Sequence, residues 1–211
     1  NADPHLDNSK TFSVVHNGII ENYNELRDFL TSAGYKFFSE TDTEVIPNLV
    51  HYYYTKEDEN TPDKFAHAVR KATLDLKGSY AIEVLCSLEP DKIIVARKDS
   101  PLVIGINENE KYIASDIPAI LEYTNNIYIL NDGDLAKLTK NNIVFYDTSF
   151  NVINKSPEII SWDAKAADKN GYDDFMLKEI YEQPTAIRET IGTRLVSGKK
   201  CDFSDLNISK E

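Results

Sequence analysis

The sequence predicts an α+β fold in which helices pack on an antiparallel sheet. Three observations lead to this prediction. Apolar residues before Tyr80 recur at helical spacing, the residues from there to Tyr146 break into short β-rich segments, and turn-forming residues separate those segments. Because the segments follow one another almost without intervening helices, a regular βαβ repeat is not expected.

Before Tyr80 the sequence alternates between strands and helices. Asn, Asp and Thr are residue types that cap helix N-termini, whereas glycine commonly follows a helix C-terminus. The Asn17-Gly18 pair is typical of turns and is expected to end the first strand. Pro47 should kink the second helix or delay its start. The predicted elements are a strand over residues 11–16, a helix from Asn22 to Gly34, a strand over residues 35–38, a helix capped by Asp42, and a helix from Thr61-Pro62 to Gly78.

After Tyr80 the sequence predicts a meander of short strands. Turn chemistry separates them, as in the Asp132-Gly133-Asp134 run. Residues 117–123 predict a short helix between strands. The predicted strands cover residues 80–88, 92–97, 102–106, 112–114, 127–130, 135–138 and 143–146.

The C-terminal region differs in composition from the rest. Residues 162–174 are polar and predict a linker. Residues 175–195 have a helical pattern that Pro184 interrupts. Residues 196–211 are polar and predict a weakly ordered end.

Charge excludes two broad classes of function. The chain has 211 residues and a net charge of −12. A general nucleic-acid binder needs a basic face for phosphate contacts, and an anionic membrane attracts basic segments. We therefore expect neither nucleic acid nor membrane as a partner, although a locally basic site for a small anion remains compatible with this charge.

Cysteine usage and hydropathy indicate the compartment. The chain has only Cys86 and Cys201, too few for a disulfide framework, which favours a reducing environment. No run approaches the roughly 18 apolar residues of a membrane span, and no signal peptide is apparent. We expect a cytoplasmic protein. The sequence begins at Asn1, without methionine.

The densest candidate site is the run from His16 to Asn22. A strand that ends in Asn17-Gly18 would place a side-chain amide and a backbone N–H at a sheet edge, facing the same space. Two such donors can stabilise the oxyanion of a tetrahedral intermediate. From the dipeptide alone, an ordinary turn is the favoured interpretation.

A second candidate is the acidic run from Ser39 to Glu44. Glu40, Asp42 and Glu44 lie at a predicted helix start and could bind a substrate ammonium group. Composition alone favours helix capping and favourable dipole charges.

Other residues carry weaker signals. His5 and His16 lack the neighbours that a metal site needs, so no metal and no cofactor is expected. Cys86 lies within an apolar strand, as a buried inert thiol would. Cys201 has no nearby base. The residues by themselves therefore leave no convincing nucleophile.

Several blocks in the same order resemble the glutaminase domain of the glutamine–fructose-6-phosphate aminotransferase family, also called the glucosamine-6-phosphate synthases. The resemblance runs from Asn1 to about Arg194. The blocks that carry it are residues 16–22 (HNGIIEN), 34–35 (GY), 39–46 (SETDTEVI), 78–81 (GSYA), 100–105 (SPLVIG), 114–116 (ASD), 132–134 (DGD) and 178–184 (KEIYEQP).

This resemblance implies an N-terminal-nucleophile fold, a four-layer sandwich of two antiparallel sheets between helical layers. It implies that a cysteine thiolate at the start of the mature chain cleaves L-glutamine, and that the ammonia converts fructose 6-phosphate to glucosamine 6-phosphate in an isomerase domain. Asn17 and Gly18 match the family's oxyanion-hole pair, and Asp42 matches the residue that binds the glutamine ammonium. It also implies a homodimer for the full-length protein.

The sequence departs from the family at its start. The nucleophilic cysteine and the arginine-containing segment that holds the glutamine carboxylate are not in these residues, and Asp3 replaces the usual histidine of the opening run. We therefore expect an inactive fragment. Its predicted parts are a glutaminase domain without its N-terminal portion (residues 1–161), a linker (residues 162–174) and a segment leading toward the isomerase domain (residues 175–211).

Two alternatives stay open at this point. One is another N-terminal-nucleophile amidotransferase, such as the amidophosphoribosyltransferase type. The other is a non-catalytic module that senses glutamine with the same fold.

Overall fold

The computed structural model describes residues 3–161, 171–192, 195–196 and 200–201. The chain divides into two compact units, Asn1–Trp162 and Asp163–Glu211. The first unit contains helices and two antiparallel sheets, so the predicted α+β class is confirmed. In the described part of the chain, no helix is long and apolar enough to cross a membrane.

Two sheets form the frame of the first unit. The strands are, in chain order, β1 (His5–Leu6), β2 (Phe12–Ile20), β3 (Gly78–Cys86), β4 (Lys92–Lys98), β5 (Val103–Ile106), β6 (Lys111–Ala114), β7 (Asn126–Ile129), β8 (Leu135–Thr139), β9 (Ile143–Tyr146), β10 (Val152–Ile153) and β11 (Glu158–Ile159). The larger sheet has the order β1-β2-β3-β4-β8-β9-β10, and the smaller has the order β11-β7-β5-β6. All the pairings between these strands are antiparallel, as the meandering pattern predicted.

Three helices cover one face of the larger sheet. They are α1 (Tyr23–Ser32), α2 (Val45–Lys56) and α3 (Lys64–Asp75). Alternate residues of β2 face them, so Phe12, Val14 and Ile20 are fully buried in a shared core. Leu30 of α1 and Leu49 of α2 belong to the same core.

A second core lies between the two sheets. Val95 and Phe145 of the larger sheet pack in one cluster with Ile104 of the smaller sheet. On the far side of the smaller sheet, Ile127 packs with Ile120, which follows a 3₁₀ turn at Ile117–Ala119. The first unit therefore has a layered arrangement, and the helices on its first face adjoin the strand that carries the candidate site.

The Asn17-Gly18 pair is not a turn, and this prediction was wrong. β2 continues through both residues, which pair with Ala81 and Tyr80 of β3. Gly18 has a φ of +141°, a conformation that favours glycine, and a Cβ there would collide with the carbonyl oxygen of Ser79. Strand pairing with β3 therefore overrides the local turn preference.

Other element boundaries also differ from the predictions. Residues 35–38 form no strand. Asn22 does not cap α1, because its side chain bonds to the backbone of Asp75 and Lys77 instead. α3 begins at Lys64 and not at Thr61-Pro62. Of the two effects predicted for Pro47, a kink or a later start, the structure shows the later start, because a 3₁₀ turn at Asp42–Glu44 precedes α2.

The second unit contains α4 (Phe175–Ile191) and an antiparallel pair of strands, β12 (Leu195–Val196) and β13 (Lys200–Cys201). The Asp174 carboxylate caps α4 by accepting from the N–H of Leu177 at 2.7 Å. The helix continues through Pro184, where the sequence predicted an interruption. Most of the predicted linker and most of the predicted weak end lie outside the described residues, so the boundaries of the three predicted parts stay a prediction.

Candidate functional site

The candidate site lies along an open edge of β2. β1 pairs only with the first part of this strand, and no other described strand lies on that side. The N–H of His16 donates to Oδ2 of Asp3 at 3.2 Å, and the N–H of Ile20 donates to Oδ2 of Asp42 at 2.7 Å. Because N–H groups two residues apart along a strand point to the same edge, the N–H of Gly18 faces this edge as well. The edge thus presents a backbone donor between two carboxylates.

Asn17 lies where this edge meets one face of the sheet. It is directly opposite Ala81, which belongs to the core between the sheets, so the two side chains share that face. Asn17 and Gly18 are both exposed. The structure therefore places the predicted donors on adjoining sides of one strand, with the amide on the face and the N–H on the edge.

Asp42 begins the 3₁₀ turn that precedes α2. The helix-capping role considered for Asp42 belongs to its neighbour, because the Thr41 hydroxyl accepts from the N–H of Thr43 at 3.4 Å. The half-buried Asp42 carboxylate instead bonds the backbone of Ile20. Its position at the β2 edge is thus maintained by a hydrogen bond that joins residues 22 positions apart in the chain.

The other carboxylates of the acidic run do not face this edge. Glu44 is buried and accepts from the N–H groups of Phe38 and Ser39, both at 2.8 Å, and from the Ser39 hydroxyl at 2.6 Å. These bonds close the loop that leads into Asp42. Glu40 is exposed. The structure therefore separates the three predicted ammonium ligands and leaves Asp42 as the one at the strand edge.

His16 and Thr43 form a contact that the sequence analysis missed. Nδ1 of His16 lies 3.0 Å from Oγ1 of Thr43, which is buried. Burial lowers the pKa of the His16 imidazole below its usual value of 6.5, and the nearby carboxylate of Asp42 opposes this only in part. The sequence offered one signal for this contact. His16 directly precedes Asn17, and Thr43 directly follows Asp42.

No described cysteine is suited to nucleophilic attack. Cys86 is 2% exposed and burial raises the pKa of its thiol, as expected for an inert core residue. The side chain of Cys201 lies outside the described residues. Within those residues, no group of three or more histidine, cysteine, aspartate or glutamate side chains could hold a metal ion. The edge thus presents hydrogen-bond donors and carboxylates, and no described thiol lies there.

Comparison with known families shows which family the chain belongs to. A model of the glutamine amidotransferase domain matches residues 1–122, which is more than half of the chain and includes the whole β2 edge. The chain belongs to the glutamine amidotransferase domain family. The match agrees with the resemblance found in the sequence.

Curated relatives of this domain are similar over its full length. The glutamine–fructose-6-phosphate aminotransferase [isomerizing] of Clostridium perfringens is 49% identical over 100% of this chain, which covers 33% of that protein. The enzyme of the same name from Clostridium acetobutylicum is 51% identical over 100% of this chain, which covers 34% of that protein. The chain therefore spans about a third of the length of the curated relatives it matches.

Two solved structures share the fold at low sequence identity. The glutamine phosphoribosylpyrophosphate amidotransferase from B. subtilis, complexed with ADP and GMP, has a TM-score of 0.57 at 20% identity, covering 81% of this chain and 39% of that chain. A structure described as the allosteric regulatory enzyme of purine biosynthesis has a TM-score of 0.55 at 20% identity, covering 72% of this chain and 32% of that chain. These similarities confirm the N-terminal-nucleophile fold class.

Proposed function

We propose that this chain is the glutamine-hydrolysing part of an enzyme that transfers the amide nitrogen of L-glutamine to fructose 6-phosphate, forming glucosamine 6-phosphate. The observation that carries the proposal is the 46–51% identity over all 211 residues to relatives that bear this aminotransferase name. The similarity to phosphoribosylpyrophosphate amidotransferases supports the fold alone.

The geometry of the β2 edge supports glutamine as the substrate. Residues two apart on a strand are separated by roughly 7 Å, which sets the spacing of the Gly18 and Ile20 N–H groups. An extended glutamine has its ammonium nitrogen and amide oxygen about 6 Å apart by standard bond lengths. A glutamine aligned with this edge can therefore bring its amide oxygen to Gly18 while its ammonium group reaches Asp42.

The proposed roles follow from the chemistry of these groups. Asn17 and Gly18 donate hydrogen bonds to the amide oxygen as it becomes an oxyanion. The Asp42 carboxylate accepts a charge-assisted hydrogen bond from the substrate ammonium. The Ile20 N–H on Oδ2 and the Thr41 hydroxyl on Oδ1 orient the carboxylate for this contact.

The remaining step needs a thiolate that the described residues do not provide. In the proposed reaction the thiolate sulfur bonds to the amide carbon, and the C–N bond breaks as the amide nitrogen takes up a proton and leaves as ammonia. Water then hydrolyses the thioester, which releases glutamate and regenerates the thiol. Because Cys86 is buried in the core and Cys201 has no nearby base in the sequence, we propose that the nucleophile lies outside the 211 residues. The sugar-phosphate acceptor is proposed to bind in a further domain of the full-length protein.

The partners and setting of the full-length protein are proposals as well. A homodimer in the cytoplasm fits the family resemblance and the presence of only two cysteines. The net charge of −12 supports neither nucleic acid nor an anionic membrane as a partner.

The ammonium role of Asp42 is tested by Asp42→Asn in the full-length protein. The variant keeps the shape of the side chain but removes its charge, so KM for glutamine should rise about 10- to 100-fold, with kcat changed much less. Steady-state glutamate release measures both constants. Glu40→Gln is the matched control, because it removes an exposed charge from the same acidic run and should leave both constants unchanged.

The acceptor is tested with the unmodified full-length protein. Glutamine-dependent formation of glucosamine 6-phosphate from fructose 6-phosphate is the expected result. Amination of phosphoribosyl pyrophosphate instead would contradict the proposed acceptor while leaving glutamine hydrolysis intact. Glutamine binding without any glutamate release would identify a sensing module and contradict the catalytic proposal.

A further inference from the structure

We infer that His16 and Thr43 are positioning residues, whose mutual hydrogen bond sets the distance between the oxyanion donors on β2 and the ammonium acceptor Asp42. This inference rests on the proposed function, because it assigns a role within the same glutamine site. Their contact lies on the face of the sheet that packs against the helices, and not on the β2 edge where glutamine is proposed to lie.

Two hydrogen bonds join the strand to the turn, one on each side of Gly18. The 3₁₀ turn at Asp42–Glu44 is connected to β2 at two points, through Ile20 to Asp42 at 2.7 Å and through His16 to Thr43 at 3.0 Å. These points lie four residues apart on β2, on either side of Gly18. Glu44 and α2 hold the far end of the turn, whereas these two bonds set its distance from β2 and its orientation along the strand.

The two bonds also lie on different sides of the strand. Ile20 donates from the backbone edge, whereas the His16 side chain is on the same face as Val14, which packs against the helices. Thr43 is 6% exposed, so its hydroxyl bond is shielded from competing water. The His16–Thr43 bond therefore holds the turn from the helix-facing side of the sheet and leaves the edge open for a ligand.

The charge state of His16 suits this role. Desolvation lowers the pKa of the imidazole, opposed by the carboxylates of Asp42 and Asp3 and by the Ser79 backbone, and assisted by the neighbouring His5. The ring is therefore neutral near pH 7 and adds no positive charge that would compete with the substrate ammonium for Asp42. Its Nδ1 forms the side-chain contact with Thr43.

The other ring nitrogen argues against a purely structural role. Nε2 of His16 is buried without a hydrogen bond of ordinary geometry in the described structure, although the Ser79 backbone lies close to the ring. A buried ring nitrogen whose polar contact is this weak adds little to stability, so packing alone does not require histidine at this position. What histidine provides here is the hydrogen bond to Thr43. That bond joins the residue before Asn17 to the residue after Asp42, and so connects the two halves of the proposed site.

The experiment measures how strongly the bond and Asp42 are coupled. In the full-length protein, Thr43→Val keeps the shape of the side chain but removes the hydroxyl. We expect kcat/KM for glutamine to fall about tenfold, because small misplacements of binding groups have effects of this order. In an Asp42→Asn background, Thr43→Val should change kcat/KM by less than about twofold. The carboxylate that the His16–Thr43 bond positions is already lost in that background.

Three further variants control for folding. Thr73→Val is the matched control, since Thr73 is also buried and its hydroxyl donates to a carbonyl, that of Arg70, at 2.8 Å. It should lower Tm to a similar extent with unchanged kcat/KM. Thr43→Ser restores the hydroxyl and should restore activity. His16→Leu removes the bond from its other end and should reproduce the kinetic loss of Thr43→Val.

The failure of this inference differs from a failure of the proposed function. A tenfold loss on Thr43→Val that persists in the Asp42→Asn background would overturn the positioning role and leave the glutamine site standing. Unchanged kinetics in both Thr43→Val and His16→Leu would overturn it as well. If Asp42→Asn alone has wild-type kinetics, the proposed site itself is refuted, and the inference with it.

Discussion

Gly18 shows how one residue determines the shape of the candidate site. Its φ of +141° and its close approach to the Ser79 carbonyl leave no room for a side chain. The strand can therefore continue past Asn17 while its edge stays accessible. Any larger residue here would push β3 away or shift the N–H that is proposed to stabilise the oxyanion.

At the same scale, Asn17→Ala tests the oxyanion role in the full-length protein. We expect kcat for glutamine hydrolysis to fall by on the order of 10²–10³, the effect typical of removing one oxyanion donor. Tm should change little, because Asn17 is exposed. Asn109→Ala, at an exposed position in the β5–β6 turn, is the control. A wild-type kcat in the Asn17 variant would remove this residue from the site.

At the scale of the element, β3 carries one carboxylate, that of Glu83, among apolar neighbours on the adjacent strands. Glu83 lies between Val15 of β2 and Val95 of β4, and it has no hydrogen-bonding or ionic partner among the described residues. Burial raises the pKa of its carboxyl group above the usual 4.5. The ionised carboxylate therefore destabilises the folded strand at neutral pH.

The sign of this effect leads to a test. A raised pKa in the folded state means that folded Glu83 holds its proton more tightly than unfolded Glu83, so ionisation lowers the free energy of unfolding as pH rises above 4.5. Glu83→Gln should raise Tm at pH 7, by no more than a few degrees because the side chain keeps part of its surface in water. Below pH 4.5 both side chains are neutral and the difference should vanish.

Thermal denaturation at pH 7 and at pH 4 measures the difference between Glu83→Gln and the unmodified protein. Glu122→Gln, at an exposed position, should show no difference at either pH. A Glu83 variant that is less stable at pH 7 would mean that the carboxylate has a stabilising partner and would contradict this account.

At the scale of the whole molecule, the described side chains include the proposed substrate-binding groups but no accessible thiol. The chain spans about a third of the length of its curated relatives, and the thiol of Cys86 is buried in the core next to the helices. We expect the 211 residues alone to release no glutamate above background. Loss of a nucleophile lowers kcat by on the order of 10⁶. The full-length protein should turn over under the same conditions, and coupled detection of glutamate compares the two.

Turnover by the 211 residues alone would place the nucleophile within them. Cys201 is the other cysteine of the chain, so Cys201→Ser would then be expected to abolish the activity. A Cys86→Ser variant is the control, because its buried thiol should not contribute.

Much of the fold could be predicted from local pattern. The strand at Ile143–Tyr146 was predicted with its observed bounds, and Gly34 follows α1 with a φ of +96°, as a helix-ending glycine should. Where the predictions failed, long-range contacts were responsible. The Asn17-Gly18 pair became strand because β3 pairs with it, and the Asn22 side chain was diverted from capping to the backbone of Lys77.

The sequence by itself determined the α+β class, the acidic character, the family resemblance and the candidate residues Asn17, Gly18 and Asp42. These depend on residue types and on their order along the chain. Only the tertiary structure decided that Asp42, and not Glu40 or Glu44, lies at the open strand edge, and that a bond from His16 to Thr43 joins the two parts of the site. The physical reason is that both connections join residues more than twenty positions apart, and local spacing and propensity do not specify such contacts.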